Sequence, residues 1–393
     1  MKKFLEGSRG VAEAIRLCKP GVIAAYPITP QTHIVENLAQ FIADGQLKAE
    51  FINVESEHSA ASVVLGAIAT GVRAFTATSS QGLLLMGEVI YNIAGMRLPL
   101  VLTCANRAVS APISIWNDQQ DSLAMRDTGW IQLYAENNQE VLDLHIQAYK
   151  LAENKEVMLP VMVCMDGYIL THGYEVVDIP EPDEVDKFLP PYTSSYKLDP
   201  SYPITMGHLA EPAYYMETRL DIQNAQAKAL DLIPKIAEEF KGIFKRDSKG
   251  LIESYRLEEA EYAVVAMGSV AGTIKDVVDD LRQKGKKVGL LRIITYRPFP
   301  KDAIYEVLKS VPNIGVIDKA ISLGAFGPLF TEIKAIFQDK KERPKISGFV
   351  AGLGGRDITP QNVEEVFLKL DKEQRDLEFI DIRKENIGEF IQF

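Results

Sequence analysis

Two short polar segments carry side chains that could do proton-transfer chemistry. Thr29 lies in residues 26–30, and Glu55 and Glu57 lie two positions apart in residues 54–59. Each segment follows a short apolar run and precedes a stretch of helical spacing, so each is predicted at the junction of a strand and a helix. A carboxyl group shielded from water at such a junction can share a proton with a basic ring nitrogen. Together the two segments are typical of one half of a cofactor site.

The same side chains also have a purely structural explanation. Thr29 could be the N-cap of the following helix, with Pro30 at the first helical position. Glu55 and Glu57 could be first-turn acids that interact favourably with the helix dipole. Spacing alone favours the cap for Thr29, because N-caps are common at such junctions.

A third candidate, Arg107, ends the fourth predicted strand. A guanidinium at the carboxyl end of a strand is a natural bidentate partner for a substrate carboxylate. The alternative is an ion pair within the polar loop that follows, with Asp118, Asp121 or Asp127. This loop, residues 106–131, is long and holds both tryptophans, which indicates either a functional loop or an insertion used in subunit contact.

The elements that must position these residues alternate between strand and helix. A helix over 8–17 precedes the first strand, and the alternation that follows predicts a parallel, doubly wound α/β sheet. The predicted strands are 21–25, 49–54, 73–78, 98–105 and 159–165, and the predicted helices between them are 31–43, 57–70, 82–94 and 138–151.

A proline-rich segment separates this unit from a second one. Seven of the 20 prolines fall in residues 176–212, which predicts a long connection, and a charged amphipathic helix follows over 221–244. A second α/β alternation starts near residue 261. We therefore predict a first domain over 1–255 with a proline-rich arm over about 176–255, a second domain over 256–370, and a charged tail over 371–393 that is a helix or a partner-binding arm.

Composition limits the classes of function. The chain has 393 residues, 47% hydrophobic and 25% charged, which is typical of a two-domain globular protein. The net charge of −11 argues against a nucleic-acid surface or an anionic membrane as partner. No apolar run reaches the roughly 20 residues of a membrane helix. The first residues lack the apolar core of a signal peptide, so we expect no membrane span and a cytoplasmic protein.

Cysteines and glycines suggest no further site. Cys18, Cys104 and Cys164 are far apart and form no C-x-x-C pair, so neither an iron–sulfur cluster nor a zinc site is expected from this chain alone. The glycine groups at 268–272 and 352–355 match neither a dinucleotide fingerprint nor a P-loop, and no nucleotide site is assigned to them.

Taken in order along nearly the whole chain, several motifs resemble one family. The sequence is similar to the alpha subunits of 2-oxoacid:ferredoxin oxidoreductases, most closely those of the pyruvate enzymes. The motifs are Tyr-Pro-Ile-Thr-Pro at 26–30, Glu-Ser-Glu-His-Ser-Ala at 55–60, Thr-Ala-Thr-Ser-Ser-Gln-Gly at 76–82, Arg-Leu-Pro at 97–99, Asn-Arg-Ala at 106–108, Arg-Asp-Thr-Gly-Trp-Ile-Gln at 126–132 and Gly-Leu-Gly-Gly-Arg-Asp-Ile at 352–358.

The resemblance implies a fold and roles for particular residues. It implies two doubly wound α/β domains, a pyrimidine-binding domain for thiamine diphosphate followed by a domain like the carboxy-terminal one of transketolase. Glu57 would hydrogen-bond the aminopyrimidine nitrogen, and Thr29 and Arg107 would hold the carboxylate and carbonyl of the 2-oxoacid. Residues 27–29 (Pro27, Ile28 and Thr29) and Ser80 would also contact the cofactor.

The resemblance also implies a reaction that needs other chains. The complex would convert pyruvate, coenzyme A and oxidised ferredoxin into acetyl-coenzyme A, carbon dioxide and reduced ferredoxin. A Gly-Asp-Gly motif followed by an asparagine holds Mg²⁺ in such sites, whereas here Asp166 is the nearest candidate and the next asparagine is Asn224. We therefore expect no metal site in this chain, which would be inactive alone, with Mg²⁺ and [4Fe-4S] clusters carried by beta, gamma and delta type subunits.

Two alternatives to this reaction stay open at the level of the sequence. The substrate could be a branched-chain 2-oxoacid or 2-oxoglutarate, since all share the carboxylate and carbonyl that Thr29 and Arg107 would contact. A different class of protein, a non-catalytic flavodoxin-like binding or scaffolding subunit, would use the same residues only to cap helices.

Overall fold

The computed structural model describes residues 1–194 and 196–388, which form three sheets and the helices around them. The strands are β1 (Lys2–Glu6), β2 (Val22–Ala25), β3 (Glu50–Asn53), β4 (Ala74–Thr78), β5 (Val101–Asn106), β6 (Ile131–Tyr134), β7 (Val161–Asp166), β8 (Tyr174–Asp178), β9 (Ile252–Tyr255), β10 (Tyr262–Met267), β11 (Val288–Ile293), β12 (Thr295–Arg297), β13 (Asn313–Asp318), β14 (Lys345–Val350) and β15 (Glu378–Phe379). The helices are α1 (Gly7–Cys18), α2 (Thr32–Ala43), α3 (Glu57–Ala69), α4 (Ser80–Leu85), α5 (Gly87–Gly95), α6 (Gln120–Ala124), α7 (Asn138–Ala152), α8 (Pro182–Phe188), α9 (Tyr215–Phe244), α10 (Val270–Gln283), α11 (Lys301–Leu308), α12 (Pro328–Ile336) and α13 (Pro360–Leu370).

The first large sheet has seven strands in the order β12-β6-β7-β5-β4-β2-β3. All its neighbouring strands run parallel except β12, which is antiparallel to β6 at the sheet edge. Every residue of β4, β5 and β7 is buried. Their continuous apolar character follows from this position, because helices cover both faces of a parallel sheet.

The second large sheet has six strands in the order β15-β14-β13-β10-β11-β9. Its four central strands are parallel, whereas β9 is antiparallel to β11 at the edge. The predicted domain boundary at 255 leaves β9 with the first domain, but the strand pairs within the second sheet. Conversely, β12 lies in the second half of the sequence and pairs in the first sheet, with Thr295 opposite Leu133. Edge strands are exchanged across the predicted boundary in both directions.

Charged side chains also join the two sheets. Arg292 of β11 donates to Glu140 of α7 at 2.7 Å and to Glu253 of β9 at 2.7 Å. Lys275 of α10 bonds Glu136 of the first domain at 2.8 Å. These carboxylates raise the pKa of the Arg292 guanidinium, although burial alone would lower it. The contact between the domains is therefore a buried charge network as well as an apolar core.

Apart from these edge strands, the structure differs from the predicted elements at several further places. Strand β1 precedes the first predicted helix and pairs antiparallel with β8, so the start of the proline-rich arm is a strand. Helix α9 begins at Tyr215 rather than at residue 221. The tail contains the short strand β15, which extends the second sheet, and its last five residues lie outside the described range. None of the helices in the described ranges has both the length and the apolar character needed to cross a membrane.

A buried carboxylate fixes the start of helix α12. Asp318 is 1% exposed at the end of β13, and it accepts the backbone N–H groups of Leu329 at 2.8 Å and Phe330 at 3.0 Å. Gly327 leaves room for this contact, because a Cβ there would lie 2.1 Å from Asp318 Oδ2. Burial raises the pKa of Asp318 to about 7, although the two N–H donors oppose the shift.

The raised pKa of Asp318 predicts a pH-dependent contribution to stability. The folded chain binds the proton more tightly than the unfolded chain, so this contribution is present at low pH and is lost as the pH rises through about 7. Between about pH 5.5 and about pH 8, the parent should lose roughly 2 kcal/mol of unfolding free energy that the Asp318→Asn variant does not lose. Urea denaturation at both pH values measures it. A difference that does not change with pH would contradict the prediction.

Candidate active site

The carboxyl ends of β2 and β4 flank the switch point of the first sheet, because β3 lies on one side of β2 and β4 on the other. Ligands of open α/β sheets bind in the crevice outside such strand ends. Gln31 joins the two ends, since its Nε2 donates to the Ala77 carbonyl at 2.8 Å. The Ser79 hydroxyl joins β4 to β5 by donating to the Ala105 carbonyl at 2.7 Å. The loops after three neighbouring strands are therefore held in one cluster.

The Glu57 side chain is buried at this edge. Glu57 is the first residue of α3 and is 7% exposed, and the Ser56 hydroxyl caps the helix by accepting the Ser59 N–H at 3.2 Å. Its neighbour Glu55 is exposed and accepts a hydrogen bond from the Ser59 hydroxyl. The Glu57 carboxylate has no hydrogen-bond or ion-pair partner within residues 1–194 and 196–388. The carboxylate oxygens are not fully enclosed, so a ligand that donates a hydrogen bond can reach them.

Gly82 borders the same space as Glu57. A Cβ on Gly82 would lie 2.6 Å from Glu57 Oε1 and 2.5 Å from Thr78 Oγ1. The buried Thr78 hydroxyl has no hydrogen-bond partner in the described part of the chain. Neither Gly82 nor Thr78 was predicted from the sequence as a site residue. The available signal was a glycine inside a short helix directly after a strand.

Thr29 is not a helix cap, so the structural explanation favoured by spacing is wrong. Helix α2 begins at Thr32, and its N-cap position is Gln31, whose side chain makes no capping bond. Pro30 consequently precedes the helix rather than opening it. Thr29 is exposed beyond the end of β2, and its carbonyl accepts a hydrogen bond from Arg107 Nη1 at 2.9 Å. The structure thus brings together two of the predicted site residues, which are far apart in sequence.

Arg107 is 6% exposed, and its guanidinium contacts backbone rather than carboxylates. Nε donates to the Ser114 carbonyl at 3.0 Å, in addition to the bond from Nη1 to Thr29. The predicted alternative, an ion pair with an aspartate of the loop, is absent from the described residues: Asp121 instead accepts the backbone N–H of Arg107 at 3.0 Å. Burial lowers the pKa of Arg107, and nearby Tyr168 and Asp121 oppose this shift. A substrate carboxylate is the kind of partner that such a cation lacks.

The other predicted cofactor contacts lie at the same edge in different settings. Pro27 is exposed and Ile28 half-buried in the loop after β2. Ser80 is fully buried, and its hydroxyl donates to the Ala108 carbonyl at 2.5 Å. Its backbone N–H donates to Asp121 at 2.9 Å. Ser80 therefore joins β4 to the loop after β5, with its hydroxyl directed into the protein.

The Asp166 carboxylate bonds residues of the second domain. Asp166 ends β7, and its Oδ2 accepts bonds from Lys319 Nζ at 3.0 Å, from the Ser269 N–H at 2.9 Å and from the Ser269 hydroxyl at 2.5 Å. Asn117 donates to Oδ1 at 3.1 Å. Burial alone would raise the pKa of Asp166, but Lys319 and Ser269 outweigh it and hold the pKa below its ordinary value. The aspartate that was the nearest candidate for a metal ligand is thus a contact between domains.

The polar loop over 106–131 packs against the second domain of the same chain. The Gln119 N–H donates to the Lys319 carbonyl at 2.8 Å, and the Gly354 N–H donates to Asp118 at 3.1 Å. Burial raises the pKa of Asp118 to about 6, despite two backbone donors. A cleft of about 580 Å³ lies beside this contact, between Trp116 and Tyr168 of the first domain and residues 355–359 of the second.

The buried pair between Asp166 and Lys319 predicts a large effect of one substitution. Lys319 is 4% exposed, so Lys319→Met leaves a buried carboxylate without its cation and should destabilise the chain by roughly 3–5 kcal/mol. The matched control is Lys19→Met, which removes a surface ion pair with Asp186 and should cost at most roughly 1 kcal/mol. Denaturation of both variants measures this. Equal losses in the two variants would contradict the assigned role of the pair.

Models of protein families match both halves of the chain. The model described as "Pyruvate flavodoxin/ferredoxin oxidoreductase, thiamine diP-bdg" matches residues 13–238. The model described as "Pyruvate:ferredoxin oxidoreductase core domain II" matches residues 260–363. The candidate site at the first switch point lies wholly within the first match.

Curated relatives are similar over nearly their whole length. A pyruvate synthase subunit PorA from Methanocaldococcus jannaschii is 53% identical over 95% of this chain and 96% of the relative. One from Methanothermobacter thermautotrophicus is 49% identical over 98% and 99%. A ketoisovalerate oxidoreductase subunit VorA from Pyrococcus horikoshii is 46% identical over 93% of both chains.

Solved structures share the fold. A 2-oxoglutarate:ferredoxin oxidoreductase from Magnetococcus marinus matches 94% of this chain and 65% of its own, with a TM-score of 0.73 and 18% identity. A split-gene transketolase matches 94% of this chain and 98% of its own, with a TM-score of 0.55 and 11% identity. The predicted fold class, two doubly wound α/β domains with a transketolase-like second domain, is confirmed. Because both family models and the near-full-length relatives agree with the resemblance of its motifs, the chain belongs to the pyruvate:ferredoxin oxidoreductase family.

Proposed function

We propose that this chain is the alpha subunit of a multi-subunit pyruvate:ferredoxin oxidoreductase. The complex converts pyruvate, coenzyme A and oxidised ferredoxin into acetyl-coenzyme A, carbon dioxide and reduced ferredoxin. The observation that carries the proposal is Glu57 at the first switch point: the residue is only 7% exposed, its carboxylate has no partner among the described residues, and it lies inside the region that matches the thiamine-binding family model. The names of relatives at 49% and 53% identity support pyruvate as the substrate.

The residues at this edge fit the pyrimidine half of thiamine diphosphate. A side chain at position 82 would collide with the Glu57 carboxylate and with the Thr78 hydroxyl, and that hydroxyl has no hydrogen-bond partner among the described residues. An aminopyrimidine ring, with nitrogens that accept or donate hydrogen bonds, complements such a pair. Thiamine diphosphate, when bound, supplies a nucleophilic carbon and an electron sink for the decarboxylation of a 2-oxoacid. Pro27 and Ile28, in the loop after β2 at the same strand ends, would offer the ring apolar contact.

Within this crevice the chain contributes one proton-transfer group and one anion-binding group. Glu57 exchanges a proton with a ring nitrogen, and the low exposure of the residue leaves little of it in contact with bulk water. Arg107 holds the carboxylate of the 2-oxoacid, and Thr29 contacts the same substrate from the neighbouring loop. The hydrogen bond between Arg107 and the Thr29 carbonyl fixes the position of these two residues relative to each other.

Partner subunits complete the site in this proposal. The diphosphate and its Mg²⁺ need hard oxygen ligands, and Asp166 is unavailable for that role because its carboxylate bonds Lys319, Ser269 and Asn117. A beta type subunit would carry the diphosphate half, with [4Fe-4S] clusters and the ferredoxin contact on further subunits. The chain would therefore be inactive alone.

A branched-chain 2-oxoacid is the second candidate substrate. The similarity to a ketoisovalerate oxidoreductase subunit supports it, at lower identity than the pyruvate synthase relatives. The polar contacts do not distinguish the two, because both substrates present the same carboxylate and carbonyl. Turnover of the assembled complex with a viologen dye and a panel of 2-oxoacids decides between them, and we expect pyruvate to give the highest kcat/KM.

The role of Glu57 predicts a loss of turnover with the assembly intact. Glu57→Gln keeps the shape of the side chain but cannot exchange a proton, so kcat in the assembled complex should fall by roughly 100-fold or more. Glu55→Gln is the matched control, because Glu55 is exposed two residues away and bonds only Ser59, and it should keep near-normal turnover. Near-normal turnover of Glu57→Gln would refute the proposed function.

The role of Arg107 predicts weaker use of the 2-oxoacid. Arg107→Ala should lower kcat/KM for pyruvate by roughly 30-fold or more, chiefly through KM, because a buried cation that pairs with the substrate is removed. Arg126→Ala is the control: this arginine bonds the Leu123 carbonyl at the opposite edge of the sheet and should leave kcat/KM within about twofold. If both variants behave alike, Arg107 does not bind the substrate.

A further inference from the structure

A single buried carboxylate holds the chain where it leaves both β4 and β5. Asp121 is 0% exposed, and its Oδ2 accepts the backbone N–H of Ser80 at 2.9 Å and that of Arg107 at 3.0 Å. Its Oδ1 accepts the side-chain amide of Asn106 at 2.8 Å and the backbone N–H of Ser122 at 2.7 Å. Both oxygens therefore accept two nitrogen donors each, and the four donors come from three separate segments.

This carboxylate is held by directional bonds alone. No ion pair to Asp121 is present among the described residues, and its nitrogen donors are all uncharged amides. Burial raises the pKa of Asp121, and the amide donors oppose the shift. Hydrogen bonds of this kind fix the donors in direction as well as in distance. A carboxylate so placed determines where the four amide groups lie.

Two of the four donors belong to the predicted site. Ser80 has a φ of +48°, in the left-handed region that a serine adopts at an energetic cost, so its conformation depends on the surrounding bonds. Arg107 is held by its backbone N–H, while its guanidinium extends to the carbonyls of Thr29 and Ser114. Movement of the Arg107 backbone would move the guanidinium with it.

We infer that Asp121 is a positioning residue for the 2-oxoacid: it holds Arg107, and with it Ser80, at the place where the substrate carboxylate binds. The inference rests on the proposed function, because it assumes that Arg107 contacts the substrate. Asp121 itself touches neither substrate nor cofactor. It acts through backbone amides, which only a proline at position 107 or 80 would remove.

The test is Asp121→Asn in the assembled complex, with KM and kcat for pyruvate as readouts. An asparagine of the same shape has one acceptor oxygen instead of two, so two of the four donors lose their partner. We expect KM for pyruvate to rise about tenfold, with a smaller change in kcat. The matched control is Asp118→Asn, a buried carboxylate of the same loop that accepts backbone donors from Gln120 and Gly354 only. Its KM should stay within about twofold of the parent.

A double variant tests whether Asp121 acts through Arg107. In the Arg107→Ala background, Asp121→Asn should raise KM by less than about twofold, because the group that it positions is gone. An undiminished rise in that background, or Asp121→Asn and Asp118→Asn behaving alike, would overturn the inference. Arg107→Ala with an unchanged KM would refute the contact between Arg107 and the substrate on which the inference rests. Failure of the proposed function shows separately, as near-normal turnover of Glu57→Gln, so the failures are distinguishable.

A milder variant covers the case in which Asp121→Asn does not assemble. Asn106→Ala removes one donor to Oδ1 and leaves the carboxylate and its bonds to Ser80 and Arg107 in place. Because the carboxylate is then held less firmly, KM for pyruvate should rise a few-fold, which is the size of effect expected from the loss of one hydrogen bond. A KM equal to that of the parent, in complex shown to be assembled by size-exclusion chromatography, would overturn the inference as well.

Discussion

The ion pair between Asp166 and Lys319 is the interaction on which the arrangement of the two domains depends. It joins the carboxyl end of β7 in the first sheet to the carboxyl end of β13 in the second, and both side chains are almost fully buried. The second sheet has its own switch point between β10 and β13, the place where such folds bind anions. There the amide and hydroxyl of Ser269, at the start of α10, bind the Asp166 carboxylate. The Asp166 carboxylate of the first domain thus occupies the position at which the second domain would otherwise bind an anion.

Buried carboxylates bound to backbone amides recur at the functional edges of both sheets. Asp121 sets the chain beside the candidate site, Asp166 joins the domains, and Asp318 fixes the start of α12. Each accepts at least one backbone N–H group from a segment distant from it in sequence. Glu57 is the exception, because its carboxylate accepts no such donor among the described residues and its oxygens are not fully enclosed. That contrast separates a carboxylate used to build the fold from one left available for a ligand.

Much of the fold and part of the site follow from local sequence. The alternation of strand and helix predicts two doubly wound sheets, and with it the position of Thr29, Glu57 and Arg107 at strand ends. Spacing could not tell that Thr29 lies outside the helix, since the helix start depends on how Gln31 bonds Ala77 across the sheet. It also could not reveal the contact of Asp166 with a lysine 153 positions away. Contacts between distant segments leave no periodic signal.

The pairing of β12 with β6 has a consequence for the order in which the chain folds. The last strand of the first sheet to be synthesised, β12, follows three strands of the second sheet, β9, β10 and β11, and helix α10. During synthesis, the edge formed by Leu133 and its neighbours therefore stays open, with unpaired amides and carbonyls. Pairings between distant segments form slowly, since a long loop must close first. The nascent first domain would be most prone to aggregate in the interval before Thr295 emerges.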